Sequence, residues 1–453
     1  MEEKNLIRDM TTGNPLRQLI LFSLPFMLSN FLQQVYSLAD MVIVGQFVGS
    51  AGLTATSNAG DIVVLYFFIC MGVTTGGQII VSQLIGSGNR EKLSSAIGTL
   101  LTFVIILGAV LTAVSIALCD LTLSLINIPE ESFQMAHEYF MVCCWGNVPI
   151  FGYNAISSIL RGMGDSKHPT MFIAVSAVLN IVLDLIFVGG LGMSCFGAAL
   201  ATVIAQGVSC VVSYVFAYRH KEEFGFDFKL KSFRIDLGEL KTLVGLGVPI
   251  ALQNLLVMIS MLFVASRINV YGVVAASVTA VGNKLGLVAT VCTSALNTAG
   301  STIVAQNFAA GKLKRVSTTL LHILLISLAF TAVLALLVVL FPEEIFGIFD
   351  PSPDVIAMSH TYVPIAVISL IGFAGRAAVF SFINGIGFAS MAFFGGLLDG
   401  IIARIGLSLL FGSALGMGVF GYWLGSAVAG HTFTVIGIIY FALGTWEKRR
   451  AIV

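Results

Sequence analysis

Acidic and amide side chains inside otherwise apolar stretches carry the chemistry that this sequence could perform. Asp40 and Asp184 each lie several residues before the outer end of such a stretch, Asn180 precedes Asp184 by one helical turn, and Thr202 lies about two turns into the next stretch. Two carboxylates, an amide oxygen and a hydroxyl at one depth form an all-oxygen set that suits a hard cation. Desolvated, mutually repelling carboxylates could instead exchange protons, and hydrogen bonding between helices is a third interpretation.

Further polar residues on the first apolar stretch suggest a route for a substrate. Gln33, Tyr36 and Asp40 follow i, i+3, i+7 spacing and therefore share one helix face. This stripe is interpreted either as one side of a cavity or as a seam of hydrogen bonds between helices. We also place Asn30 of the same stretch in the predicted substrate path.

Two pairs of opposite charges are also predicted inside apolar stretches. Asp61 and Lys284 lie 223 residues apart, at equivalent positions of the internal repeat described below. We hypothesise that they act as a gate; alternatively, each faces a wet cleft. Asp399 and Arg404 lie five residues apart, and that spacing favours a local charge pair over a binding site. Inserting an ionisable side chain into the middle of a bilayer costs about 2.5–3.5 kcal/mol on insertion scales. Each of these four residues is therefore expected to have a structural or functional role.

The composition places these residues in a membrane. The chain has 453 residues, of which 57% are hydrophobic and 10% charged, and its mean hydropathy is +0.98. Because a soluble domain carries about 25% charged residues, a cytosolic enzyme, a nucleic-acid binder and a disordered scaffold are excluded. The formal charge is zero, and seven dispersed cysteines show neither a disulfide framework nor metal spacing. The spans and inner loops carry no paired-Asp motif that would indicate a membrane enzyme such as a prenyltransferase. The sequence has no phosphate loop, so ATP is not expected to be the direct energy source, and no cofactor beyond a coupling ion is expected.

The apolar stretches predict an all-α integral membrane protein with twelve spans of about 20 residues or more. With the amino terminus in the cytoplasm, nineteen of the 23 lysines and arginines fall on the inner side, as the positive-inside rule expects. We therefore predict a multi-pass protein of the plasma membrane with both termini cytoplasmic. The spans are predicted near residues 16–46, 52–85, 93–119, 133–158, 168–189, 196–218, 241–270, 274–307, 316–341, 355–383, 390–412 and 419–445.

An internal repeat divides the spans into two sets of six. The segments GMSCFGAALAT at 192–202 and GMGVFGYWLGS at 416–426 share five identities at an offset of 224. We predict an N-terminal lobe at 1–218, a cytoplasmic linker at 219–240 and a C-terminal lobe at 241–453. Because six is even, both lobes begin on the inner side, so their pseudo-two-fold should run along the membrane normal. This arrangement is typical of secondary transporters.

The chain resembles the multidrug and toxic compound extrusion (MATE) family over nearly its full length. The resemblance rests on motifs in a fixed order: MTTGNPLRQLILFSLP at the start, ADMVIVGQFVG around Asp40, SQLIGSGN with its repeat partner AQNFAAGK, LRGMGDSKHP, and NIVLDLIFVGGLGMSCFGAALAT at 180–202. It implies twelve helices in two lobes, and export of organic cations in exchange for Na+ or H+. It assigns Asp40, Asn180, Asp184 and Thr202 to a first-lobe cation site.

The resemblance extends to two further polar residues, and the sequence departs from the family pattern at one place. Tyr139 and Asn154 in the fourth span match polar positions near the substrate path. One branch of the family carries an acid in the seventh helix, whereas the stretch QNLLVM from Gln253 to Met258 has none. Coupling through the first lobe alone is therefore expected.

The sequence thus predicts a secondary active exporter of lipophilic organic cations that works by alternating access. A flippase for lipid-linked saccharides from the same superfamily is the alternative, and it should need a basic cavity for a diphosphate. Within the spans, the acids rather than the bases lie in the segments that match family motifs. This favours organic cations over a diphosphate as the substrate. The expected partners are small organic cations and the lipid bilayer, with no nucleic acid, and the expected state is a monomer.

Overall fold

The computed structural model describes residues 6–126 and 128–453, and every regular element among them is a helix. The first half of the chain begins with three long helices, followed by a short one and then by four helices of 16 to 26 residues. Its helices are α1 (Pro15–Phe47), α2 (Ser50–Ser87), α3 (Glu91–Ala117), α4 (Cys119–Leu125), α5 (Glu130–Trp145), α6 (Asn147–Gly162), α7 (Lys167–Asp184), a π-helical turn (Leu185–Gly190), α8 (Ser194–Arg219) and α9 (Lys221–Phe224).

The second half follows a 3₁₀ turn at Leu230–Ser232 and also begins with three long helices and a short one. The same turn type closes the chain at Thr445–Lys448. The helices of the second half are α10 (Leu237–Asn269), α11 (Val273–Ala309), α12 (Leu313–Leu340), α13 (Pro342–Phe349), α14 (Pro353–Gly385), α15 (Ala389–Gly396), a π-helix (Leu397–Ile405), α16 (Gly406–Leu409), a second π-helix (Leu410–Ala414), α17 (Gly418–Ala429) and α18 (Thr432–Ala442).

The helices confirm the predicted spans, with one difference. Eleven helical segments of the described chain are long and apolar enough to cross a membrane. The predicted span at 133–158 instead runs as α5 and α6, two helices of 16 residues each that meet at Gly146. Gly146 is the residue at which the helix is interrupted, and a Cβ there would lie 3.0 Å from both the Cys143 carbonyl oxygen and Val203. Neither half reaches the length of a span alone.

The chain divides into two compact units, and the divisions fall inside two long helices. Of the described residues, the first unit holds 6–9, those of Leu28–Ala251 and the final Val453, and the second holds Met10–Met27 and Leu252–Ile452. Both α1 and α10 are thus divided two or three residues after an internal proline, Pro25 or Pro249. The lobe boundaries at 218 and 241 stay a prediction.

Close helix packing in the first unit depends on glycine. Gly72 of α2 faces the first turns of α10, where a Cβ on it would lie 2.6 Å from both the Gly247 carbonyl oxygen and the Ala251 Cβ. Any side chain at this position would force the two helices apart. Small residues at such contacts let membrane helices approach closely, and van der Waals packing then stabilises the pair.

In the second unit, the segment before α1 is held by one arginine. Arg315 of α12 donates to the Gly13 carbonyl oxygen at 2.6 Å and to the Thr12 carbonyl oxygen at 3.1 Å, while its Nε donates to Asn307 Oδ1 at 2.9 Å. The fork geometry of a guanidinium allows these bonds to form together.

Candidate cation site

Asp184 lies where α7 changes into a π-helical turn. It is the last residue of α7, and Leu185–Gly190 form the π turn. Its side chain is fully buried, and neither carboxylate oxygen has a hydrogen-bond partner. π-helical insertions occur preferentially at functional sites, because they change the direction of side chains within a helix.

Asp40 belongs to the same unit and interacts with Asp184. Its Oδ1 is buried without a hydrogen-bond partner. The two carboxyls are near enough to repel one another, and the Tyr139 hydroxyl interacts electrostatically with both of them. No lysine or arginine of the described residues forms an ion pair with either acid. The structure therefore brings together two carboxyls with no fixed counter-charge.

Asn180 and Thr202 supply the remaining oxygens of the predicted site. The Asn180 Nδ2 donates to the Thr202 Oγ1 at 3.3 Å, joining α7 to α8. The Asn180 side chain is 3% exposed, and its Oδ1 is buried without a partner. The bond to Thr202 engages the donor end of the amide and leaves its acceptor end unpartnered. The threonine thus orients an oxygen as well as offering one.

A narrow crevice joins the Asn180–Thr202 pair to α1. Tyr36 lines it, whereas Gln33 and Asp40 of the predicted stripe do not, so the cavity face stays a prediction. Two of its lining residues were missed by the sequence analysis, namely Ser176 and Gln206. Each lies one helical turn from a predicted residue, Ser176 before Asn180 and Gln206 after Thr202, so the i, i+4 spacing was the signal that could have found them.

An apolar cluster adjoins the acids. Ile43 and Val44, one turn beyond Asp40 on α1, pack with Val188 of the π turn and Ala198 of α8, and Tyr139 packs against this cluster. Apolar packing next to charged groups excludes water and lowers the local dielectric. Coulomb interactions at the acids are therefore stronger than they would be in water.

The other predicted path residues are less closely tied to the acids. Asn154 is buried, and its Nδ2 donates to the Ile150 carbonyl oxygen of its own helix at 2.8 Å. Asn30 and Gln33 are half-buried. Asp61 and Lys284 are exposed and belong to different units. The gate formed by this pair stays a prediction.

The predicted charge pair in the second unit is confirmed. The Arg404 Nη2 lies 2.9 Å from Asp399 Oδ1, and Arg376 approaches Asp399 Oδ2 at 3.8 Å. Asp399 is 1% exposed and Arg404 5% exposed. This acid therefore has fixed counter-charges, in contrast to Asp40 and Asp184.

The buried acceptors of the first unit can hold a cation or a proton. A buried acceptor without a donor costs about 1–3 kcal/mol, and a buried charge without a partner costs more. The two acids and the Asn180 amide leave four such oxygen atoms. A monovalent cation coordinated by these oxygens, or protonation of one or both carboxyls, would remove that cost.

Comparison with known proteins agrees with these features. A family model named MatE matches residues 25–186 and 249–395. The chain is 29% identical over 450 residues to YpnP of Bacillus subtilis, a probable multidrug resistance protein, covering 98% of each chain. It is 30% identical to another, YoeA of Bacillus subtilis, over 81% of this chain and 80% of that protein. An FAD transporter of Shewanella oneidensis is 26% identical over 77% of each chain.

Solved structures show the same fold. A MATE transporter in complex with MaL6 superposes with a TM-score of 0.90 at 20% identity, covering 98% of this chain and all of that one. An outward-facing multidrug resistance MATE transporter superposes with a TM-score of 0.87 at 22% identity, covering 99% of this chain and all of the other. These structures support the predicted twelve-helix fold. Because the family model matches most of the chain, the protein belongs to the MATE family of multidrug efflux transporters.

Proposed function

We propose that this transporter exports lipophilic organic cations from the cytoplasm across the plasma membrane in exchange for Na+ or H+. The observation that carries the proposal is the set of unpartnered buried oxygens on Asp40, Asn180 and Asp184. Both termini would lie in the cytoplasm, since most lysines and arginines then face inward. The protein would move its substrate without changing it chemically and would need no resident cofactor.

The two carboxyls provide a physical basis for exchange. Without a bound cation, their mutual repulsion opposes the buried arrangement of α1 against α7 and the π turn. A Na+ ion or a proton removes this repulsion and favours that arrangement. A ligand that binds one conformation more tightly shifts the population toward it, so cation binding can drive a conformational change. Release of substrate on the outside would follow from this shift.

Organic cations suit the character of this unit better than anions do. The first unit presents carboxyls without counter-charges, and Tyr36 interacts with Asp40 while Tyr139 interacts with both acids. Aromatic faces attract cations by about 0.5–2 kcal/mol, depending on desolvation. Lipid-linked saccharides and FAD both carry a diphosphate, which these carboxyls would repel. The flippase alternative is accordingly not favoured.

The test measures ethidium efflux from proteoliposomes with Na+ and pH gradients imposed separately. Efflux driven by one gradient and lost in Asp184→Asn and in Asp40→Asn would identify the coupling ion. Asp120→Asn is the matched control, because its carboxyl is 81% exposed. It should transport like the wild type.

Three results would contradict the proposal. Efflux that ignores both gradients would exclude coupling to these ions. Wild-type efflux in both Asp184→Asn and Asp40→Asn would show that the first-unit site takes no part in the mechanism. Uptake of FAD in place of ethidium would show that the substrate class is wrong.

A further inference from the structure

The two units share the backbone geometry that surrounds the candidate cation site. In the first, Leu191 N donates to the Ile186 carbonyl oxygen at 2.8 Å; in the second, Leu415 N donates to that of Leu410 at 2.8 Å. The glycines that follow, Gly192 and Gly416, have φ of 64° and 68°. All three pairs differ by 224 residues, the offset of the sequence repeat. Positions in the two units can therefore be compared residue by residue.

At this offset, the equivalent of Asn180 is Arg404 and the equivalent of Thr202 is Ser426. The hydrogen bond between the two positions is retained in both units. Asn180 Nδ2 donates to Thr202 Oγ1 at 3.3 Å, and Arg404 Nη1 donates to Ser426 Oγ at 2.9 Å. Where the first unit offers an unpartnered amide oxygen, the second holds a buried guanidinium.

The acids of the first unit have no acidic counterparts in the second. At the same offset, Asp40 corresponds to Val264 and Asp184 to Ser408. The Ser408 Oγ donates to a carbonyl oxygen of α17 at 3.2 Å, so it is already engaged. The second unit thus carries a positive charge at the repeated site and lacks both carboxyls that would attract a mobile cation.

The guanidinium is compensated within its own unit. Arg404 lies 2.9 Å from Asp399 Oδ1 and donates to the Ser426 carbonyl oxygen at 3.0 Å. These oxygens engage both terminal nitrogens of the guanidinium and compensate its charge, while its Nε is buried without a hydrogen-bond partner. Removing one partner of such a buried pair is strongly unfavourable, so the pair is expected to persist.

We propose that the Arg404 guanidinium is a tethered cation that stands, in the second unit, where the first unit binds its exchangeable cation. The second unit then keeps one charge state throughout the cycle, while the first alternates between loaded and empty states. The inference rests on the proposed cation exchange in the first unit. It assigns the coupling ion to one unit and gives Arg404 the role of excluding that ion from the other.

The proposal predicts a gain of binding when the tether is removed. Arg404→Asn restores the residue type of the first unit and leaves the Asp399 carboxyl and the Ser426 oxygens without the guanidinium. Radioactive Na+ binding to purified protein should rise by one ion per chain relative to the wild type, whatever the wild type itself binds. Adding Asp399→Asn should abolish the extra ion. Arg376→Asn is the matched control, since it removes an arginine beside the same carboxyl at a position without equivalence to Asn180, and it should add none.

A second arm does not depend on the new site or on how well Arg404→Asn folds. The doubly neutral variant Asp399→Asn/Arg404→Leu removes both charges together, a replacement that buried ion pairs often tolerate. It should keep the ion dependence and stoichiometry of wild-type efflux.

The outcomes separate the two proposals. Absence of extra Na+ in a folded Arg404→Asn variant, or loss of ion dependence in the doubly neutral variant, would overturn the tethered-cation role. A wild-type protein that binds neither Na+ nor exchangeable protons would instead overturn the proposed exchange in the first unit. The change caused by Arg404→Asn would still be measurable in that protein.

Discussion

Asp184 and Asp399 are both buried aspartates, and the structure predicts opposite effects on stability when each is replaced by leucine. Leucine has the branched skeleton of aspartate with two methyl groups in place of the two oxygens, so each substitution removes charge and hydrogen-bonding capacity and adds the same apolar volume. Both oxygens of Asp184 are buried without partners. At about 1–3 kcal/mol for each unsatisfied acceptor, Asp184→Leu should raise the free energy of unfolding by about 2–6 kcal/mol. Asp399→Leu should lower it by about 3–5 kcal/mol, because it leaves Arg404 buried without its partner.

The assay is reversible unfolding of the purified protein in mixed detergent micelles. It is performed without Na+ at alkaline pH, where an unloaded carboxyl is ionised. The advantage of Asp184→Leu should shrink when the wild type is loaded, since a ligand at 100 times its dissociation constant adds about 2.7 kcal/mol to the stability of the native state. The loading condition is added Na+ for sodium coupling and acid pH for proton coupling.

A destabilised Asp184→Leu variant in the unloaded state would refute the reasoning. It would mean that Asp184 has a stabilising partner in the empty protein. Equal effects of the two leucine substitutions would refute the distinction between paired and unpaired acids. If the stability gain of Asp184→Leu were the same with and without Na+ and at every pH, burial of Asp184 would be costly but the residue would not bind the cation.

Two further predictions concern orientation and packing. Thr202→Val removes the acceptor that orients Asn180, and losing a hydrogen bond of about 0.5–1.5 kcal/mol should weaken cation affinity about 2- to 12-fold, measured by cation-dependent thermal shift. Thr202→Ser should retain the affinity, and equal weakening by both would contradict the orienting role. Gly72→Ala places a methyl group 2.6 Å from the Gly247 carbonyl oxygen, so its unfolding midpoint should fall clearly. Gly60→Ala, with nothing within 4 Å of the added Cβ, should not fall, and a matching fall in both would refute the packing argument.

Periodicity and hydropathy were sufficient to predict the helices, because membrane spans must satisfy their own backbone hydrogen bonds. The interruption at Gly146 escaped this reasoning, since the composition around it is as apolar as that of a continuous span. The π turn after Asp184 also escaped it, because no local residue preference distinguishes a π-helix from an α-helix. The division of α1 and α10 between units depends on tertiary contacts, which hydropathy does not encode.

The candidate site was predictable in its residue types and less so in its geometry. The four-residue spacing predicted that Asp184 and Asn180 share one helix face. Asp40 was identified because it is an acid inside an apolar stretch, at a similar depth. Spacing could not show that Thr202 engages the donor end of the Asn180 amide, because that bond crosses from α7 to α8. The five-residue spacing did predict that Asp399 pairs with Arg404. The sequence could not show that both carboxylate oxygens of Asp184 lack a hydrogen-bond partner, because that depends on how neighbouring helices pack around them.

The contrast between these two acids gives the repeat a physical meaning. The internal repeat supplies two scaffolds with the same turn, the same glycine conformation and the same bond to a hydroxyl, so the scaffold alone cannot decide which unit exchanges a cation. The decision lies in counter-charge. Asp399 has Arg404 at 2.9 Å, so its charge is compensated without any ligand. Asp184 has no such group, so its buried charge must be neutralised by something that enters and leaves. An unsatisfied acid is unfavourable for stability, and that same deficit makes the first unit respond to a cation.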